Sequence, residues 1–116
     1  MVLDEQAGRV LVAFRNPARI GVVSIADSRA VASIEACGDA DDLFLDVKRH
    51  RLYVSCGEGF LDVFDTGGNG YSRLARIPTI AGARTSLFVP EMDRLFLAAR
   101  AASGEPASIW LLHPVP

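Results

Sequence analysis

"LDVKRHRLYVSC", residues 45–56, reads as the end of one β-strand, a short polar turn and the start of a second strand. The pattern recurs. "LDEQAGRVLVAF" at 3–14 and "FVPEMDRLFLAA" at 88–99 share the layout: an apolar strand end, a polar turn, then arginine and an apolar run. The anchoring arginines Arg9, Arg51 and Arg94 stand 42 and 43 residues apart. A repeat of about 40–45 residues with four strands per unit is the spacing of β-propeller blades.

The rest of each unit accommodates four strands. In unit two they fall at about 41–47, 51–56, 60–65 and 71–77. Gly57-Glu58-Gly59 separates the second from the third, and Thr66–Gly70 ("TGGNG") the third from the fourth. Asn69-Gly70 is a favoured hairpin pair, because both central residues of a type I′ turn need positive φ. Pro78 then stops the strand. Unit one reads "MVLDE", "RVLVAF", "IGVVSIA", "AVASIEA"; unit three reads "TSLFVP", "RLFLAAR", "ASIWLLHP", with no fourth strand. No segment holds a helical period, so essentially no helix is expected. "LYV", "LFLAA" and "VLVAF" are nearly continuous in apolar character, as strands covered on both faces are. The expected fold is all-β: β-propeller blades of four antiparallel strands, just under three per chain. Residues 1–116 form a single partial domain, with blade one at about 1–38, blade two at 39–81 and an incomplete blade three at 82–116.

Composition narrows the function. Half of the 116 residues are hydrophobic and 22% are charged, which is a globular balance. The net charge is −2 and the arginines are scattered, so there is no basic footprint for nucleic acid. No apolar run is long enough to span a membrane. "MVLDEQAGRV" has acids where an export signal needs a basic end, so no such signal is expected in this chain. Gly-x-Ser-x-Gly and His-Glu-x-x-His are absent. "DADDLFLD" fails as a calcium loop, because Phe44 and His50 stand where glycine and glutamate are needed. "TGGNG" joins two antiparallel strands, whereas a phosphate loop opens a helix.

"RLYVS" at 51–55, "FLDVFD" at 60–65 and "GVVSIAD" at 21–27 resemble the YVTN-type (YncE-like) β-propeller repeat family of bacterial proteins. Ser55-Cys56 replace the family's Thr-Asn. The resemblance covers almost the whole chain and implies a propeller. It also implies that full-length relatives are often exported to the periplasm; the localisation of this chain stays open. A propeller removes its edges by closing a ring of typically 4–8 blades. Under three blades would leave two apolar faces open. The ring is therefore expected to close by oligomerisation, most simply as a homodimer, unless the chain is a fragment of a longer protein. The edge "ASIWLLHP" is a ready acceptor for strand addition.

Propeller topology puts the fourth-to-first connections and the second-to-third turns on one face. Cys37 and Cys56 fall there together, beside Asp39, Asp41, Asp42 and Glu58. Arg15, Asn16, Arg19 and Arg84 come from flanking units, and these eight polar residues are the candidate ligand-binding set. Three readings of the cysteines stand open: unlinked loop residues, a disulfide, or a metal or reactive-thiol site. His50 and His113 are expected on the opposite face. Asp4 with Asp46, and Asp27 with Asp65, recur at strand ends and read as turn caps. Trp110 reads as core or interface packing. The function these residues favour is a non-enzymatic repeat module for binding or scaffolding, with no catalytic residue, no metal and no cofactor, and with an unidentified protein or small-molecule ligand. The alternative is part of a redox or metal-dependent propeller protein using the Cys37/Cys56/acid cluster.

Overall fold

The computed structural model describes every residue except Asn69. The expected Asn69-Gly70 turn therefore lies outside the described residues. Among the described residues, eleven strands form three antiparallel sheets in simple meander order. Blade one holds β1 (Val2–Asp4), β2 (Arg9–Arg15), β3 (Ala18–Ser24) and β4 (Ala30–Glu35). Blade two holds β5 (Ala40–Asp46), β6 (Arg51–Cys56), β7 (Phe60–Asp65) and β8 (Ser72–Pro78). The three-stranded sheet holds β9 (Ser86–Val89), β10 (Arg94–Ala99) and β11 (Ser108–Leu112). First strands lie side by side: β5 contacts β1 and β2 on one side and β9 on the other. The strands agree with the sequence reading to within a few residues. One helical element was not anticipated, a 3-10 turn at Pro90–Met92.

Burial follows neighbour count. β6 has five consecutive buried residues, Leu52 to Cys56, and β7 has four, Leu61 to Phe64, because blade two is covered on both sides. Toward blade one, Leu43, Leu52, Val54 and Phe64 meet Leu11, Ile20 and Val22. Toward blade three, Tyr53, Leu61 and Val63 meet Phe88 and Leu95. β10 instead alternates, with Leu95, Leu97 and Ala99 buried and the residues between them only partly so. Its open face carries a cross-strand row, Leu87–Phe96–Leu111, with Ile109 opposite Ala98. Leu87, Ile109 and Leu111 are 54%, 65% and 59% exposed. Blade one's open face shows Leu3 and Phe14 in the same way.

The turn between the first two strands is alike in every blade. The residue before the anchoring arginine is left-handed: Gly8 (φ 66°), His50 (φ 54°) and Asp93 (φ 54°). Asp4 and Asp46 cap their turns by accepting from the amides of Ala7 and Arg49. Asp27 and Asp65 likewise accept from Arg29 and Gly67. Asp46 is buried and also accepts from the Tyr53 hydroxyl at 2.7 Å. Burial and that carboxylate push the Tyr53 phenol well above its ordinary range.

Arg49 then spans two blades. It donates to Asp46 at 3.0 Å and to both Asp93 oxygens at 2.8 and 2.7 Å. The guanidinium holds the Asp93 carboxyl down at about 2, against an ordinary 3.8. A lowered folded-state pKa means the stabilisation is complete above about pH 4 and is lost as pH falls toward 2. Asp93→Asn, which tolerates the left-handed backbone, should lower the melting temperature at pH 7. The gap to the parent should close between pH 4 and 2 in a pH series of thermal melts. A gap that stayed constant down to pH 2 would remove the clamp from this account.

Candidate functional site

Strand direction brings the connection 36–39, the 57–59 turn and the 79–85 connection to one face. Backbone bonds tie them: Gly57 N to Asp39 O at 2.8 Å, Glu58 N to Gly38 O at 3.1 Å and Gly82 N to Gly57 O at 2.7 Å. Cys37 and Cys56 meet here as a disulfide with Cα atoms 5.9 Å apart. Both are buried, in the core cluster shared by blades one and two. Of the three readings of the cysteines, the structure has the disulfide.

Beside it Asp62 is fully buried. It takes a bidentate pair from Arg76, at 2.7 and 2.9 Å, and the Cys37 amide at 2.9 Å. The carboxylate pushes the Arg76 guanidinium up. Three donors satisfy this acid, which is the condition for burying a charge. The sequence reading missed Asp62 as a junction residue, because it sits inside an apolar strand pattern and its partner is fourteen residues away. Its polar character at an inward position of "FLDVFD" was the available signal.

The candidate polar residues largely pair with one another. Arg15 donates to Asp41 at 2.8 Å and lies 3.5 Å from Asp39. Arg84 donates to Asp39 from both Nε, at 2.9 Å, and Nη2. Asp39 thus joins arginines from the two flanking blades. Asp42 accepts from Ser86 N at 2.9 Å, and Glu58 from Gly38 N at 2.6 Å. Asn16 is exposed in the turn of blade one. Arg19 turns elsewhere: it lies on β3 and donates to the Ser33 hydroxyl at 2.6 Å and carbonyl at 2.9 Å. Gly57 is required at the centre, since the Asp39 carboxylate and the Arg84 guanidinium fill the space a Cβ would need.

Among the described residues, no three His, Cys, Asp or Glu side chains converge as a metal site. His113 bonds to the carbonyl of Asp93, and His50 sits in the blade-two turn, so both lie on the opposite face. Trp110 is partly buried against Ala83, Leu97 and Ala99. An apolar cleft of about 460 Å³ lies elsewhere, between blades two and three. It is lined by Tyr53, Leu61, Val63, Leu74, Leu95 and Leu112, with the tail 113–115 at its mouth. Arg51 holds that tail through the Val115 carbonyl at 2.6 Å. No helix is long and apolar enough to cross a membrane, among the described residues.

No known family model matches the chain, and no curated protein is significantly similar to it.

A crosslink spanning 19 residues contributes about 3 kcal/mol by loop entropy. Cys37→Ala with Cys56→Ala should therefore cost about 3 kcal/mol in urea unfolding. Cys37→Ile with Cys56→Ala, copying Ile80 and Ala99 of blade three, should recover part of the loss. Thiol titration should find no free thiol in the native oxidised protein. Two free thiols there would refute the crosslink.

Proposed function

We propose that the chain is a non-enzymatic β-propeller repeat module of the YVTN type, acting by association. Its open blade faces are covered by further blades, most simply those of a second copy completing a ring. The observation that carries this reading is the burial gradient. The central strands β6 and β7 of blade two, with neighbours on both sides, are buried on both faces. Blades one and three each leave an apolar row in water. Contiguous exposed apolar surface of this kind marks interaction sites, and repeat arrays bury their faces only against neighbours.

The loop face supports scaffolding over chemistry. Its thiols are spent in a crosslink, and Asp39 and Asp41 are paired with arginines. A redox or metal role would first have to break those pairs. The buried crosslink also favours maturation in an oxidising compartment, where disulfides form and persist.

Light scattering over a concentration series tests the association. Mass should rise above one chain with concentration. Leu111→Asp, on the open face of blade three, should weaken association about tenfold or more without unfolding the chain. A parent protein that stays monomeric at every concentration would overturn the reading.

A further inference from the structure

Arg15 closes β2 and reaches over the junction to the loop that leads into blade two. There it meets Asp39 and Asp41, and the Ala40 carbonyl at 3.3 Å. It stands six positions beyond the anchoring Arg9. The residue six beyond Arg51 is Gly57, and the residue six beyond Arg94 is Arg100. The repeat thus places Arg15, Gly57 and Arg100 at one structural position in successive blades. In blade two the glycine leaves room for Arg84, which supplies the guanidinium to Asp39 instead. Blade three carries the arginine again.

Arg100 has no ion-pair partner among the described residues. Its guanidinium lies flat on Gly82, so close that a Cβ there would fall 2.6 Å from Nε. Arg84 and Arg100 flank an open cleft of about 510 Å³ that also takes in Thr85, Ser108 and Ile109. Ile109 belongs to the exposed apolar face of blade three. An unpaired guanidinium and an apolar row therefore form one continuous surface, the same combination that blade one presents to blade two.

We propose that this surface is the seat of a β-blade that carries carboxylates where its leading loop enters its first strand, as Asp39 and Asp41 flank the start of β5. Those carboxylates meet Arg100 as Asp39 and Asp41 meet Arg15. The inference rests on the association reading and adds the chemistry of the partner.

The test uses the full chain extended ahead of Met1 by Gly-Asp-Ala-Asp-Asp, copying residues 38–42, against a Gly-Asn-Ala-Asn-Asn control. Sedimentation equilibrium reads the self-association of both, with and without Arg100→Gln. The acidic extension should associate about tenfold more tightly than the neutral one, with the gain shrinking in high salt. Arg100→Gln should abolish that gain while leaving the neutral chain unchanged. Arg100→Glu with a Gly-Lys-Ala-Lys-Asn extension should restore it. Equal association of acidic and neutral chains, or a gain that survives Arg100→Gln, would overturn the role of Arg100 and leave the association reading standing. No association in any of these chains would overturn both.

Discussion

A four-stranded blade is one sheet thick and apolar on both sides, so its stability depends on what lies against each face. Burying a large aliphatic side chain contributes about 1.5–3 kcal/mol. Blade two sets several such groups against each neighbour: Leu43, Leu52, Val54 and Phe64 on one side, Tyr53, Leu61 and Val63 on the other. The exposed ion pairs at the loop face are worth at most about 1 kcal/mol each. Stacking therefore holds the array together. The charged pairs have a different use, since a carboxylate between two arginines is satisfied at only one offset of the blades.

The junction of blades one and two shows how much is needed where a connection must be pinned. Cys37 is tied covalently to Cys56 and through its amide to Asp62, which Arg76 neutralises. The corresponding positions of blade three are Ile80 and Ala99, which pack with Ala83, Leu97 and Trp110. One site in the repeat thus takes two solutions, a crosslink with a buried ion pair and a plain apolar contact.

The fold was legible because its signals are local. The apolar runs and the aspartate caps each involve residues close in sequence, and the 42- and 43-residue spacing of Arg9, Arg51 and Arg94 is a repeat that can be read without knowing any contact. Cys37 and Cys56 could be placed together from strand direction, although direction alone left their bonding open. The site was less legible because its partners are distant. Nothing near Arg84 announces Asp39, 45 residues away, and Arg19 was drawn off by Ser33 across the strand pair. The shared left-handed position was masked by its residue types, since Gly8 signals it openly whereas His50 and Asp93 do not. The 3-10 turn follows from Pro90-Glu91 in the turn where the other blades use an aspartate cap.

The two ends of the array are unlike, and this limits how chains can meet. Blade three ends in Arg100 and the row Leu87, Phe96 and Leu111, while blade one opens with Leu3 and Phe14. Contact between unlike faces is heterologous: it closes into a ring when the rotation per chain divides the circle and otherwise runs on as a filament. Apolar rows are permissive about angle, because side chains slide over one another at little cost. A guanidinium that must reach a carboxylate is not. Under the proposed association, the charge at the loop face would fix the rotation between blades, and with it the choice between closure and continued growth.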